Sequence, residues 1–517
     1  MTERRFGTFN KFGTGSKFGA STTREALAWD VSIDWDEDGM FDANEAEGRI
    51  TDVNITRGRK KLLEAVGQGF EKIPTGTAQV TLRNDDGRFD GWNSDSPLYP
   101  NVSYGKTIQI RVRDLNGTAG IYPLFYGVIT DIVPVGYGSD ARVVIKASDN
   151  MDFLRNTVGR VAMQQNITPD DAIGLVLDAA GWRWGRSLDA STDSIRYWWA
   201  SGNRQAISEI EELALSFLGY FFINASGTAT FKIRTNISDS VADYVQEKLL
   251  KDVDNPQPYE LGRNIIRLKV HPRTQAATGT LWQLVGNAPS ILTGAANALP
   301  LYANYTYNNE PVPAINVITP VATTDWTVNS ASDGSGTDLT SSCTCTMTDF
   351  GDTAKLVFTN LSGSTGFLIN PKVRGDAIYE VNASDITYPS NTDGIIKPRE
   401  LILDLPWQQD INSAVDIALV MGMFYSGSHP MPNVKMQDYP DIQFAADLFD
   451  IVTLALPKIG LSGESFRVCG IEHATNSSSE NCQSVITHIY LEPYVSGGDF
   501  MQFDTNATWD TTTIFGY

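Results

Sequence analysis

The residues whose types and spacing best suit chemistry form a short acidic stretch near the N-terminus. Carboxylates stand at alternate positions, a glycine follows, and a glutamate comes after five further residues. The members that match a calcium loop are Asp34, Asp36, Asp38, Met40, Asp42 and Glu45. Converging carboxylates and one backbone carbonyl, that of Met40, are ligands that a hard cation prefers. The spacing therefore predicts a Ca²⁺ site at these six residues.

The residues around this loop leave a second interpretation open. Residues 28–33 alternate as a strand does, whereas helices flank the loop of an EF-hand. A solvated acidic turn without an ion is therefore the alternative. A second Asp-Gly pair, Asp86 and Gly87, has only one further acid close by, so a tight turn is predicted there.

Patterns typical of catalysis are scarce in this sequence. Neither a Gly-x-Ser-x-Gly elbow nor a His-Glu-x-x-His motif occurs. His473 and His488 are expected on neighbouring strands, where they could act as acid and base, but buried structural histidines are the commoner case. Cys343 and Cys345 would share one face of a strand, a poor geometry for a mutual disulfide. The sequence predicts a protein that is not an enzyme.

Composition describes an acidic protein of several globular domains. The chain has 517 residues, a net charge of -21 and 42% hydrophobic residues. This length exceeds one core, and the negative charge argues against a surface that grips nucleic acid. No apolar run is long enough to span a bilayer and the N-terminus lacks the apolar core of a secretory signal, so no membrane contact is expected.

Apolar periodicity predicts mainly β-structure with an α+β part. Alternating apolar residues and Asp-Gly turns predict an antiparallel β-unit over residues 28–148. Residues 168–181 have a threonine cap, a proline at the first helical position and a terminal glycine, which predicts a helix. Further helices are predicted at residues 204–219 and 411–425, and a β-meander at residues 447–493. Residues 286–390 have the frequent turns of a small inserted β-sandwich.

Both ends of the chain are polar segments that carry regularly placed aromatic residues. A basic residue, a phenylalanine and a glycine recur every six residues, starting at Arg5, Lys11 and Lys17. Such a segment is too polar to build a core alone, so we interpret it as a docking arm, with a disordered tail as the alternative. Residues 496–517 are interpreted as a second docking arm.

Several of these stretches together resemble the minor tail proteins of long-tailed bacteriophages, the group that forms the tail-tip or baseplate hub. The resemblance rests on motifs at residues 31–36, 57–59, 82–89, 96–99, 105–106 and 125–127. Residues 333–336 and 373–375 resemble the inserts of these proteins, residues 445–454 resemble their last barrel strands, and the Phe-Gly arm resembles their N-terminal repeats. Each motif alone is loose, but together they touch most of the chain.

The resemblance implies multi-domain architecture with antiparallel β-barrel domains of the phage tail hub type and an inserted β-sandwich. The implied parts are a docking arm (1–25), a first hub β-barrel (26–149), an α+β hub domain (150–260), a second hub β-barrel with a helix (261–285 and 391–495), the insert (286–390) and a C-terminal arm (496–517).

The implied function is a structural one in the virion, at the tail tip of a siphovirus. A homotrimer would form a hub ring that continues the tail tube and takes part in DNA ejection, after assembly in the host cytoplasm. The implied partners are the distal tail protein, the tape-measure protein and a tail fibre or central spike. DNA would pass through a negative lumen without specific binding, since the chain's charge repels a polyanion.

Two other classes of function remain open from the residues. A receptor- or carbohydrate-binding tail protein would act through exposed aromatic residues of the insert. Trp326 is a candidate, although a tryptophan in the core is the commoner case. A cell-wall hydrolase would need paired carboxylates in a cleft, but the adjacent acid pairs in this sequence are better interpreted as solvated.

Overall fold

The computed structural model describes residues 27–41, 48–60, 72–115, 120–233, 239–245, 249, 253–255, 262–286, 288–381, 384–389, 399–425, 430–475 and 484–494. Both predicted docking arms therefore lie outside the described residues. The described part is mainly β with an α+β part, as predicted. None of its helices is long and apolar enough to cross a membrane.

The N-terminal strands form one antiparallel array. They are β1 (Leu27–Asp34), β2 (Ile50–Gly58), β3 (Thr77–Arg83), β4 (Thr107–Asp114), β5 (Ile121–Val135) and β6 (Arg142–Asp149). They pair in the order β1-β4-β5-β6-β3-β2. Alternate residues point to one core, as Ile108, Ile110 and Val112 of β4 do. The period of two that is visible in the sequence thus becomes one buried face.

The α+β unit follows directly. Its elements are α1 (Met151–Asn156), β7 (Val158–Ile167), α2 (Pro169–Ala180), β8 (Arg186–Leu188), β9 (Ile195–Gln205), α3 (Ala206–Ser216), β10 (Gly219–Ile223) and β11 (Ala229–Ile233). The hydroxyl of Thr168 accepts a hydrogen bond from the N–H of Asp171, and Gly181 ends α2 in the left-handed conformation. These are the predicted helix ends. Strands β7 and β9 pair, and β10, β11 and β8 form a small sheet.

Two strands precede the insert, namely β12 (Ala242–Val245) and β13 (Ile265–Val270). The β-unit that includes the insert begins before residue 286 and contains β14 (Arg273–Gln275), β15 (Gly279–Gln283), β16 (Ser290–Ile291), β17 (Leu299–Asn304), β18 (Thr306–Tyr307), β19 (Glu310–Pro311), β20 (Ala314–Ile318), β21 (Thr327–Asn329), β22 (Cys343–Asp349), β23 (Thr353–Asn360), β24 (Gly366–Ile369) and β25 (Lys372–Glu380). Strands β15, β17 and β24, from three different sheets, contribute to one apolar core. Arg160 of β7 contacts this unit through Asp352, at 3.4 Å, and the ring of Phe350.

The chain then returns to β13 and ends in a β-meander. These elements are β26 (Ser384–Pro389), β27 (Glu400–Leu405), α4 (Ile411–Tyr425), β28 (Asn433–Gln437), α5 (Pro440–Gln443), β29 (Ile451–Leu456), β30 (Leu461–Thr475) and β31 (Val485–Pro493). Strand β13 lies between β26 and β27, and α4 packs on this sheet. The helix α4 spans the residues predicted for it.

Strand β2 joins the N-terminal and C-terminal strands into a single sheet. Asn54 to Gly58 pair with Ala474 to Gly470 of β30, on the edge opposite to β3. The result is an eleven-stranded sheet that runs from β1 to β12, with β31 and β28 branching from β30. Among the described strands this sheet is open: its strand order does not return to β1, so the expected barrels do not close. The six domain boundaries stay predictions.

Gly58, at the end of β2, has no room for a side chain. Its φ is +72°, and a Cβ there would lie 2.4 Å from the carbonyl oxygen of Cys469 and 2.6 Å from Leu448 Cδ2. Gly138 has a similar φ of +75°, but a Cβ there would meet nothing within 4 Å. Substituting each of the two glycines therefore distinguishes the cost of a left-handed backbone from the cost of a steric clash.

We predict that Gly58→Ala destabilises the protein by about 2 to 4 kcal/mol, because strain and overpacking add. Gly138→Ala should cost about 1 kcal/mol, from the left-handed backbone alone. Thermal unfolding followed by circular dichroism measures both. Equal losses of stability in the two variants would contradict the close approach of β2 to β30.

Candidate functional site

The acidic loop begins at the last residue of β1. The structure describes four of the six predicted calcium ligands: Asp34, Asp36, Asp38 and Met40. The other two, which lie outside the described residues, are Asp42 and Glu45. Asp34 is 7% exposed, whereas the other three described ligands are exposed. Gly39 has a φ of +85°, the left-handed conformation that the sharp turn requires.

The described carboxylates of this loop converge. One oxygen from each of Asp34, Asp36 and Asp38 lies within 4.8 Å of the other two. The N–H of Gly39 donates to Asp34 Oδ2 at 3.0 Å, whereas Asp34 Oδ1 is buried and accepts no hydrogen bond from the described residues. A buried acceptor without a partner costs about 1 to 3 kcal/mol, and a bound cation would satisfy it. The geometry suits a cation, with three ligands close together.

An ion pair between a buried arginine and a partly exposed aspartate connects β2 with the C-terminal meander and the α+β unit. Arg57 is 4% exposed and the Asp447 side chain 28%, and Arg57 Nη1 lies 2.6 Å from Asp447 Oδ1. The other carboxylate oxygen of Asp447 accepts a hydrogen bond from the N–H of Ala225, in the β10–β11 turn, at 3.0 Å. Burial alone would raise the pKa of Asp447, but the charge of Arg57 and the backbone donors outweigh it and lower the pKa. The carboxylate is therefore held in its charged form.

A second ion pair, whose members are both buried, involves Arg59, two residues after Arg57. Glu492 of β31 is fully buried, with Arg59 Nη2 3.8 Å from its Oε2. The hydroxyl of Tyr220 donates to Glu492 Oε1 at 2.9 Å, and Arg467 Nη1 donates to the same hydroxyl at 3.4 Å. The guanidinium of Arg59 also lies 6.0 Å from the centre of the Tyr220 ring. These side chains fix β31 and β10 against the end of β2.

Only part of this junction is visible in the sequence. The Arg57-Gly58-Arg59 motif belongs to the resemblance, but its acidic partners were not predicted. Those partners follow it by several hundred residues: Arg57 and Asp447 are 390 residues apart. No local spacing points to such a pair, since only the β2–β30 pairing brings its members together.

The two histidines considered as a catalytic pair do not face each other. Their strands are neighbours, as predicted, but His473 lies opposite Thr487 and His488 lies opposite Glu472. Consecutive strand residues point to opposite faces, so the two imidazoles lie on opposite sides of the sheet. His473 is 3% exposed, and its Nδ1 lies 2.9 Å from Thr487 Oγ1. It has the geometry of a structural histidine.

The structure also bears on Trp326 and on the cysteine pair Cys343 and Cys345. Trp326 is 4% exposed, and its Nε1–H donates to the carbonyl of Pro320, so it is a core tryptophan, the commoner of the two cases, and does not present its ring to a sugar. Its ring packs against Phe358 in the core of the insert. Cys343 and Cys345 share β22 and are not joined by a disulfide, and burial raises the pKa of both thiols.

We predict that stability falls with acidification because His473 is buried uncharged. Burial, and then the nearby charge of Arg57, lower its pKa to about 3, against about 6.5 for an exposed histidine. The unfolded chain therefore binds the extra proton between these values, and this contribution to stability, full above about pH 6.5, is lost as pH falls towards 3. His473 alone should account for a loss of about 1 to 2 kcal/mol between pH 6.5 and pH 5.

The variant His473→Gln isolates this contribution, because glutamine can still bond Thr487 but does not titrate. Unfolding by urea at several pH values should give a shallower pH dependence for the variant. Identical pH profiles of the variant and the unaltered protein would contradict the assignment.

Comparison with known proteins returns similarity of structure only. No protein-family model matches the sequence. No curated protein matches it. Among solved structures, the chain is similar to the prophage MuSo2 43 kDa tail protein from Shewanella oneidensis, at 10% identity and a TM-score of 0.48, covering 91% of this chain and 99% of that one.

Two further similar structures have the same kind of description. The tail protein from Neisseria meningitidis MC58 is 9% identical, covers 90% of this chain and 96% of that one, and has a TM-score of 0.49. The prophage tail protein gp18 from Listeria monocytogenes EGD-e is 7% identical, covers 90% and 94%, and has a TM-score of 0.41. At these low values no residue role passes to this chain. All three are tail proteins, the class that the sequence itself resembles.

Proposed function

We propose that this protein is a structural component of a bacteriophage tail tip, in which three copies form a hub ring that continues the tail tube. The observation that carries the proposal is the eleven-stranded sheet, in which strands from both ends of the chain combine. The α+β unit is attached to it by hydrogen bonds from Ala225 and Tyr220 to Asp447 and Glu492, the acids that pair with Arg57 and Arg59. Such a framework suits a part that transmits load rather than one that turns over a substrate.

One end of this sheet could pair with other subunits. Among the described strands, β12 has one hydrogen-bonded neighbour, β29, and its Asp243 is exposed, whereas seven of the eight residues of β1, at the other end, are buried. An edge strand presents backbone donors and acceptors along its free side, which is a template for pairing with another chain. Ring formation would use such edges. The proposed partners are further copies of this chain, the distal tail protein, the tape-measure protein and a central fibre or spike.

The net charge of -21 is consistent with a lumen through which DNA slides. A polyanion is repelled by carboxylates and held by clustered lysine and arginine. The proposed channel would therefore guide DNA without binding a sequence. Its location would be the tail tip of the virion, after assembly in the host cytoplasm.

We expect the purified protein to form trimers, and native mass measurement should give three chain masses. A strict monomer that also fails to bind any other tail protein of the same particle would contradict the hub assignment.

A monomer that binds host-cell glycans would instead support the alternative, a receptor-binding protein acting through the insert. Tyr302, which is 62% exposed on β17, is the side chain that favours this alternative. Substituting it with alanine would then abolish glycan binding.

We also propose that the acidic loop binds Ca²⁺, which would rigidify the end of the β-unit and perform no chemistry. The support is the convergence of three carboxylates and the buried Asp34 Oδ1 that has no described partner. The carbonyl of Met40 and the side chains of Asp42 and Glu45 would complete the six to eight oxygens that calcium takes.

Calcium should raise the thermal stability of the protein. A site at a hundredfold excess of free ion over its Kd adds about 2.7 kcal/mol. The double variant Asp36→Asn/Asp38→Asn should lose this gain, whereas Asp85→Asn, in the second Asp-Gly turn, should keep it. Thermal unfolding with calcium and with a chelator measures the difference. If the unaltered protein unfolds at the same temperature in both, the loop is a solvated acidic turn.

A further inference from the structure

The loop between β3 and β4, residues 84–106, is built from successive turns and is here named the turn loop. Its backbone N–H groups donate to the carbonyl three residues earlier at Gly87, Asp90, Asn93, Ser96 and Tyr99, at 3.1 to 3.3 Å. Polar side chains reinforce these turns: the N–H of Phe89 donates to Asn84 Oδ1 at 2.9 Å, and Ser96 Oγ donates to the carbonyl of Arg88 at 2.6 Å. The loop is a preorganised surface element.

This ordered loop exposes large aromatic side chains. Trp92 is 96% exposed, Tyr104 77% and Tyr99 51%. Two segments of the loop lie side by side at Gly91 and Val102, since a Cβ on Gly91 would lie 2.6 Å from the carbonyl oxygen of Val102. Trp92 and Tyr104 therefore emerge from one part of the loop. Rigid, exposed aromatic rings on a folded loop are typical of a contact surface.

The same end of the β-unit is strongly acidic. The ring of Trp35, in the acidic loop, lies 6.4 Å from that of Phe89, and Lys106 Nζ lies 3.4 Å from Glu37 Oε1. These contacts join the acidic loop to the turn loop. Residues 34–41 and 84–106 together contain eight carboxylates and two basic side chains. We name this combined region the aromatic acidic surface.

We propose that the aromatic acidic surface binds the Phe-Gly arm, residues 1–25, of the same chain. Between Arg4 and Ala20 the arm carries four basic side chains, four phenylalanines and no acid. Each repeat thus offers a cation and an aromatic ring, which suit the exposed carboxylates of the turn loop and the faces of Trp92 and Tyr104. Charge complementarity identifies the occupant. The inference goes beyond the hub proposal, and its test needs no other tail protein.

The arm is long enough to reach this surface in its own chain. Leu27 pairs with Asp114, whereas Asp34 pairs with Thr107, the residue directly after the turn loop. The distance to cover along β1 is about 23 Å, from seven residues at about 3.3 Å each. Phe18 precedes Leu27 by nine residues, an extended reach of about 30 Å. All three repeats can therefore reach the turn loop, and the short tether favours the chain's own arm.

Limited trypsin digestion of the full-length protein tests the proposal, with cleavage after Lys11 and Lys17 followed by mass spectrometry. A bound arm is protected. The double variant Trp92→Ala/Tyr104→Ala should accelerate these two cleavages about tenfold, since two cation–π contacts are removed. Tyr137→Ala is the matched control: this tyrosine is 99% exposed but lies between β5 and β6, so its removal should leave the cleavage rate unchanged.

Other outcomes of the digestion would overturn the proposal. Equal cleavage rates in the unaltered protein and the double variant mean that the arm is free or bound elsewhere. Protection that disappears on dilution means that a second copy supplies the arm. If the aromatic variant does not fold, Asp85→Asn/Asp95→Asn keeps the rings and removes charge, and should accelerate cleavage about threefold. No acceleration in that folded variant would also overturn the proposal.

Discussion

The pairing of β2 with β30 is the contact on which the rest of the molecule depends. Strand β2 has β3 on one edge and β30 on the other, so it is the place where N-terminal and C-terminal strands become one sheet. The backbones come so close there that only glycine fits at position 58, and Gly470 on β30 is equally close to Arg59. Both arginines that flank Gly58 are buried and pair with acids, Arg57 with the partly exposed Asp447 and Arg59 with the buried Glu492. Sheet register and charge pairing thus require the same alignment.

Buried charges make this alignment specific. A buried ion pair adds little net stability over apolar residues of the same volume, but a misaligned one leaves an uncompensated charge that costs several kcal/mol. Glu492 is fully buried, with its oxygens next to Arg59 and bonded to Tyr220. A slip of β31 or β10 by one residue would separate these groups. The junction therefore selects one arrangement of three parts of the chain, which suits a protein that works as a rigid part.

Local features of this fold were predictable, and distant ones were not. The ends of α2, the span of α4 and the alternation in β4 follow from caps, glycines and apolar periodicity, which act over a few residues. The β2–β30 pairing, the open strand order and the burial of Trp326 depend on contacts between distant segments. In the acidic loop, spacing predicted the convergence of the carboxylates, but not that Asp34 is buried with one oxygen lacking a described partner. Burial of that kind depends on what packs over the strand.

The sheet also has a consequence for how the protein is made. Val53 on β2 and Thr475 on β30, which are hydrogen-bonded, are 422 residues apart. During synthesis, β2 emerges long before its partner, and one edge of it stays without β30 until the 422-residue separation between Val53 and Thr475 has been translated. Contacts of such long sequence separation form slowly and leave strand edges open to wrong pairing. Formation of the C-terminal meander is therefore the step that commits the chain to its native sheet. A chain truncated before β30 would keep the β2 edge unpaired and prone to wrong pairing.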